Sequence, residues 1–140
     1  MIDIFVGIDG GGSKCSIMVQ DQDRRILYEG SINQPGNIAS VPLQAWRNIL
    51  ELYNKAVLQI QEIHSINIKD TIKYKVHAGL GLAGISVINS KEIFEKSLKD
   101  SKLFFSYKLD NDVYIAYLGA FKGADGIIII TGTGFRRYKI

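Results

Sequence analysis

The sequence has few of the features that mark disulfide-bonded, zinc-binding or membrane-spanning proteins. It contains a single cysteine, Cys15, so this chain alone can form neither an internal disulfide nor a cysteine-ligated metal centre. A lone cysteine is compatible with a reducing cytoplasm. The first residues show no basic stretch followed by a long apolar one, so we expect a cytoplasmic protein without a signal peptide. The longest strongly apolar run, at 127–130, is far too short to cross a membrane.

An excess of charge of one sign is also missing. The 17 lysine and arginine residues against 14 acidic ones leave a net charge of +3, which is too small to predict a nucleic-acid partner. We find no internal repeat, low-complexity segment or long linker. At 140 residues and 46% hydrophobic content, the chain has the size and composition of a globular domain with its own core.

The pattern of apolar residues predicts an α/β fold. Three leading strands suggest an antiparallel meander, and the later alternation of strand and helix suggests parallel strands with crossover helices. The prediction is a mixed sheet covered by helices, in the order β-β-β-α-β-α-β-α plus one extra strand. The expected strands are 2–8, 15–20, 24–30, 74–80, 104–109 and 126–131, and the expected helices are 43–60, 89–99 and 111–121. In the second helix we expect Ile93, Phe94 and Leu98 to face inward and Asn89 or Ser90 to cap the first turn.

A glycine-rich turn joins the first two expected strands. Asp9 is followed by Gly10, Gly11 and Gly12, and then by Ser13 and Lys14. A turn without side chains lets backbone N–H groups approach an anion, while the hydroxyl and the ammonium add a donor and a positive charge. The carboxylate fits if a divalent cation lies between it and a phosphate, because Mg²⁺ is usually held by one or two carboxylates plus phosphate oxygens. The turn therefore predicts a metal–nucleotide site, with a purely structural hairpin turn as the alternative.

Two later strand ends also carry polar residues. Residues 109–112, Leu-Asp-Asn-Asp, end a strand and open a helix, where a carboxylate is well placed to accept a proton from a substrate hydroxyl. The alternative is that Asp110, Asn111 or Asp112 only caps the helix. Residues 130–134 read Ile-Thr-Gly-Thr-Gly and offer backbone donors and hydroxyls that suit phosphate, or else form a plain strand and turn.

Other polar and aromatic residues have two interpretations each. Asn37, in a polar loop, could bind a substrate hydroxyl or stabilise an Asx turn. His77 lies in an apolar strand, which favours a core or sheet-face histidine over a ligand. Trp46 is expected in the core.

Together these segments resemble one family. Residues 7–14, Gly-Ile-Asp-Gly-Gly-Gly-Ser-Lys, resemble the first phosphate motif of the actin-like ATPases, a superfamily that includes the hexokinases. The Gly-Gly-Gly-Ser-Lys version resembles the BadF/BadG/BcrA/BcrD-type group, which includes N-acetylglucosamine and glucosamine kinases. Segments 35–37, 79–84, 111–112 and 130–134 match in the same order. The resemblance implies a ribonuclease H-like (actin-like ATPase) domain and the N-terminal half of an ATP-dependent sugar kinase.

The resemblance also implies roles for single residues. In that family a sugar hydroxyl attacks the γ-phosphate of Mg·ATP in a cleft between two domains. Asp9 would organise Mg²⁺, directly or through water, and Asp112 would be the general base. Asn37 and Thr133 would hold the sugar, together with Asp112. The residues implied to lie near the phosphates of ATP are Gly10, Gly11, Gly12, Ser13, Lys14, Gly132 and Gly134.

The match weakens at the C-terminal end. Phe135 stands where the family usually has a small hydroxyl residue, and the basic residues after it do not suggest a continuing strand. We therefore expect an actin-like domain at 1–122, followed at 123–140 by the first strand of a second domain and an aberrant tail. A frameshift in the gene or a deliberate shortening would each explain this. The unpaired strand at 126–131 would favour self-association, and the chain alone would have little or no kinase activity.

Two other functions stay open at this point. The chain could belong to an ATPase activator of 2-hydroxyacyl-CoA dehydratases or benzoyl-CoA reductase, proteins that use cysteines to bridge an iron–sulfur cluster. It could also be an inactive nucleotide-binding fragment. The Gly-Gly-Gly-Ser-Lys turn favours the sugar kinases.

Overall fold

The computed structural model describes residues 1–111 together with the backbones of two strands at 127–131 and 134–138. The helices are α1 (Pro42–His64) and α2 (Ile88–Ser101). The strands are β1 (Ile2–Gly10), β2 (Cys15–Asp21), β3 (Ile26–Ile32), β4 (Tyr74–Leu82), β5 (Ser106–Asp110), β6 (Ile127–Thr131) and β7 (Gly134–Tyr138). Neither described helix has the length and apolar character that crossing a bilayer requires.

Strands β1–β5 form one mixed sheet in the order β3-β2-β1-β4-β5. The first three strands pair antiparallel, whereas β4 pairs parallel with both β1 and β5. The predicted meander, the later parallel strands and the α/β class are therefore confirmed. Parallel pairing matters for function because it brings the carboxyl ends of β1, β4 and β5 to one edge of the sheet.

The core lies between one face of the sheet and the two helices. In β1 every second residue, Ile4, Val6 and Ile8, is buried on this face, as the period of a strand requires. The apolar stripe of α1 packs against them, and Trp46 is 9% exposed and touches Phe94 edge-on, so its core position is confirmed. Each fully buried side chain of this size contributes about 1.5–3 kcal/mol.

The start of α2 differs from expectation in two ways. Phe94 and Leu98 are buried as predicted, but Ile93 is 46% exposed, because one residue rotates a helix by about 100° away from the packed stripe. Val87 occupies the N-cap position without a side-chain hydrogen bond. Ser90 instead donates from Oγ to the carbonyl of Ala39, so it holds the loop before α1 rather than the start of α2.

The other face of the sheet carries a short polar chain across three strands. His77 of β4 places Nδ1 2.7 Å from Ser106 Oγ of β5 and Nε2 2.9 Å from Asp3 Oδ1 of β1. His77 is 9% exposed, and its imidazole stacks on the ring of Phe5. The expected sheet-face histidine is thus confirmed, and its contacts join β1, β4 and β5 to one another.

The C-terminal strands correct one expectation. Gly134–Tyr138 forms β7 and pairs antiparallel with β6, from Thr131↔Gly134 to Ile127↔Tyr138. The tail was wrongly expected to lack strand structure, and the strand at 126–131 was wrongly expected to be unpaired. Arginine and aromatic residues are compatible with a hairpin strand when the partner strand lies immediately before it in sequence. The expected third helix lies outside the described residues, apart from Asn111.

Candidate phosphate-binding site

The opening glycine turn lies where the sequence predicted it, between β1 and β2. Gly10 and Cys15 are the last paired residues, and the amide of Gly11 donates to the carbonyl of Lys14 at 2.9 Å to close the loop. Gly12, Ser13 and Lys14 are exposed. The turn therefore presents backbone, a hydroxyl and an ammonium group to solvent at the carboxyl end of β1.

The fold itself does not require glycine at two positions of this turn. A Cβ added at Gly12 would meet no atom within 4 Å, and one added at Gly11 would meet only the carbonyl oxygen of Lys14, at 3.6 Å. Neither residue has a positive φ. Turn geometry and packing therefore leave these glycines unexplained, which weakens the structural-turn alternative, and the open space beside them suits an approaching group.

Gly10 and Gly36, in contrast, are packed against each other. A Cβ on Gly36 would lie 2.6 Å from the Cα of Gly10 and 2.6 Å from Cys15 Sγ. The amide of Gly36 also donates to the carbonyl of Gly11 at 2.8 Å. The loop at 35–37 is thus fixed directly against the glycine turn, because neither backbone carries a side chain at the contact.

The end of β4 joins the same cluster. The amide of Ala83 donates to the carbonyl of Gly10, and the amide of Ile38 donates to the carbonyl of Ala83, both at 2.9 Å. Gly84 has φ +83°, and a Cβ there would lie 2.5 Å from Asn37 Oδ1. Three motifs that the sequence singled out, at 10–14, 35–37 and 79–84, therefore meet in space.

Asn37 stabilises its own turn. Its Oδ1 accepts a hydrogen bond from the amide of Ala39 at 2.9 Å, which is the Asx geometry. The Asx interpretation thus holds for the side-chain oxygen. This hydrogen bond also fixes where the side-chain amide points.

Sequence reasoning missed Asn48. It is 4% exposed, donates from Nδ2 to the carbonyl of Pro35 at 2.8 Å and accepts from Gln44 Nε2 at 3.0 Å. The available signal was an amide residue within the apolar stripe of α1, where only a hydrogen-bonded polar group is tolerated. Asn48 therefore anchors the 35–37 loop to the helix.

Sequence reasoning also missed the alignment of a second carboxylate with Asp9. In the parallel registers Asp9 lies opposite Gly81, and Gly81 lies opposite Asp110. Residues paired in this way project from the same face, and two strand spacings separate the two Cα atoms by about 10 Å. Asp9 and Asp110 thus flank a glycine at the edge where the turn lies. The sequence placed Asp110 at a strand end, as a candidate proton acceptor or a helix cap, but the strand order that aligns it with Asp9 is a tertiary feature.

The thiol behind the turn is chemically quiet. Burial, with a smaller contribution from the Asp9 carboxylate, raises the pKa of Cys15 to about 11. At neutral pH it therefore stays protonated and packs as a small apolar side chain against Gly36. Within residues 1–111 and the described strands, no group of histidine, cysteine and carboxylate side chains forms a ready-made metal centre.

Several predicted site residues lie outside the described part of the chain. Asp112, Gly132 and Thr133 are among them, and Gly134 is described only by its backbone, as the first residue of β7. Their roles stay predictions. The described half of the site consists of Asp9, the glycine turn and the loop that carries Asn37.

Comparisons with known proteins identify relatives of this chain. The chain is 32% identical over 130 residues to the glucosamine kinase GspK of Vibrio cholerae, which covers 93% of this chain and 41% of the relative. It is 29% identical over 134 residues to the N-acetylmuramic acid/N-acetylglucosamine kinase of Clostridium acetobutylicum, covering 92% of this chain and 40% of the relative. The chain thus spans about two fifths of the length of these curated relatives.

A solved structure shows the same fold. The crystal structure of a candidate N-acetylglucosamine kinase from Chromobacterium violaceum superposes with a TM-score of 0.62 at 21% identity, covering 96% of this chain and 47% of that one. The expected ribonuclease H-like (actin-like ATPase) domain is thereby confirmed. A sequence model of one family matches residues 6–140, from the glycine turn through β7. The chain belongs to the BadF/BadG/BcrA/BcrD ATPase family.

Proposed function

We propose that this chain supplies the phosphate-binding and sugar-binding part of an ATP-dependent amino-sugar kinase of the glucosamine or N-acetylglucosamine type. The observation that carries the proposal is the glycine turn, since Gly11 and Gly12 are required neither by backbone geometry nor by packing. The similarity to two curated amino-sugar kinases favours this function over a dehydratase activator.

In this proposal the turn binds the phosphates of ATP. The backbone N–H groups of Gly12 and Ser13 and the ammonium of Lys14 would bind phosphate oxygens, as in other glycine-rich anion sites. Asp9 and Asp110 carry the oxygen ligands that Mg²⁺ prefers and lie on the same face of the sheet. When bound, Mg²⁺ neutralises phosphate charge during transfer.

The remaining roles belong to the acceptor sugar. The side chains of Asn37 and Thr133 would hold its hydroxyls, and the carboxylate of Asp112 would take the proton of the attacking hydroxyl. The new bond joins the sugar oxygen to the γ-phosphorus as the bond to the β-phosphate oxygen breaks. Gly132 and Gly134 would leave room along this path. Because such transfer needs mainly alignment and charge neutralisation, rigid positioning of the turn is itself a contribution to rate.

A binding experiment tests the described half of this site. We expect Mg·ATP, titrated into the ¹⁵N-labelled chain, to shift the amide signals of residues 10–14. In Asp9→Asn the shifts should become weaker and independent of Mg²⁺, whereas Asp23→Asn, an exposed acidic residue of the β2–β3 turn, should behave as the parent. The proposal fails if ATP leaves the turn signals unchanged, or if Asp9→Asn retains the full magnesium dependence.

A further inference from the structure

A cavity lies at the opposite edge of the sheet from the glycine turn. It has a volume of about 240 Å³ and lies between the start of β4 and the segment that leads from α2 into β5. Its charged lining comes from Lys69, Lys75 and Lys102, and its aromatic lining from Tyr74, Phe104 and Phe105. This volume is below the usual range for drug-sized ligands, so the cavity suits a small molecule.

Among the described residues, no ion pair joins a lysine of this cavity to a carboxylate. Lys69 donates from Nζ to Asn54 Oδ1 at 2.8 Å, which is a neutral acceptor, and the ammonium of Lys75 lies 4.6 Å from the ring centroid of Phe105. Within residues 1–111, every ion pair that a lysine forms involves Lys96 or Lys99, on α2, and none involves Lys69, Lys75 or Lys102. Like charges at one cavity repel each other, and a bound anion would remove that cost.

The aromatic residues of the cavity place a second requirement on its ligand. Phe105 is 65% exposed, an unusual state for so large an apolar ring, and it stands between Lys75 and the edge of His77. An inorganic ion would use the lysines but leave this ring in water. A ligand that combines an anionic group with a ring would satisfy both the charges and the exposed aromatic surface.

We propose that this cavity binds a small organic phosphate that carries a ring. Its phosphate lies among Lys69, Lys75 and Lys102, and its ring lies against Phe104 and Phe105. The site is separate from the glycine turn, because β4 runs from Tyr74 at the cavity to Leu82 beside the turn, a distance of about 26 Å at the rise of a strand. A single small ligand cannot contact both places, so the inference does not depend on the proposed kinase function.

Phenyl phosphate is a suitable probe, with inorganic phosphate and phenol as its two halves. We expect phenyl phosphate to shift the amide signals of residues 69–76 and 102–106 in the ¹⁵N-labelled chain. It should bind at least about tenfold more tightly than either half, since only it engages both the lysines and the rings. Shifts of the amide signals of residues 10–14 would report binding at the glycine turn, which is a different site from this cavity.

Charge-removing variants locate the phosphate. Lys75→Gln and Lys102→Gln should each weaken phenyl phosphate binding by about threefold to tenfold. Lys91→Gln, which removes the same charge from the first turn of α2 outside the cavity, should leave it unchanged. The inference is overturned if signals at 69–76 do not move, if inorganic phosphate binds as tightly as phenyl phosphate, or if all three variants lose affinity equally.

Discussion

At the scale of single residues, two glycines with different surroundings should respond differently to the same change. Gly36→Ala places a methyl group 2.6 Å from the Cα of Gly10, which is backbone and cannot rotate away. We expect a loss of about 1–3 kcal/mol in the free energy of unfolding. Gly12→Ala meets no atom within 4 Å and should stay within about 0.5 kcal/mol of the parent. Urea unfolding midpoints measure both, and equal midpoints would contradict the packing argument.

Features of single residues differ in how far they can be predicted from the sequence. The glycine turn was predictable because three consecutive glycines are a strong signal within a short stretch of sequence. Asn48 was not, because its partner is a backbone carbonyl 13 positions away whose placement depends on how the loop folds back onto α1. Asp110 gains its significance only from the register that puts Gly81 between it and Asp9. Local pattern therefore predicted the turn, and tertiary alignment supplied the groups around it.

At the scale of elements, the first turn of α1 lacks a stabilising cap. Its N-cap is Val41, which makes no side-chain hydrogen bond to the first turn, and no acidic residue lies in that turn. We expect Val41→Asp to raise the free energy of unfolding by about 0.5–2 kcal/mol, through a hydrogen bond to a free amide and a favourable charge at the helix N-terminus. Val41→Ala is the matched control. If thermal unfolding shows the two variants equally stable, capping is not limiting at this helix.

Element order was predictable because strand and helix periods differ within short windows. The buried face of each element was less predictable. Ile93 and Phe94 are adjacent and both apolar, and only packing against Trp46 shows which one is buried. The strand β7 was missed because its sequence is basic and its stability comes from pairing with β6, which no local pattern reports. Short strands are determined by their neighbours more than by their own composition.

At the scale of the whole molecule, stability should fall steeply in alkaline solution. Burial raises the pKa of Cys15 from 9.0 to about 11 and also raises the pKa of Tyr53, while burial and a hydrogen bond to Glu95 raise the pKa of Tyr107. The folded chain therefore keeps protons that the unfolded chain releases. The corresponding stability is complete below pH 9 and is lost as pH rises toward and beyond 11, by up to about 1.4 kcal/mol per pH unit for the thiol alone.

A pH series of urea unfolding measures this effect. Between pH 9 and 11 the free energy of unfolding should decline less steeply for Cys15→Ala than for the parent, although the variant starts lower at pH 7 because a buried group has been removed. The tyrosines should still lower its stability at the upper end of the range. Parallel curves for the two proteins would show that the thiol has the same proton affinity in the folded and unfolded chain.

The segment 35–38 is held at three points, by Gly11, by Ala83 and by the side chain of Asn48. A segment tethered in this way cannot swing open and shut as a lid does. Whatever molecule settles beside Asn37 meets a preformed template, and no entropy is spent on ordering the loop when it arrives. Discrimination between molecules at this position is then a matter of fixed shape, and any adaptation to a different acceptor must come from the groups that face the loop.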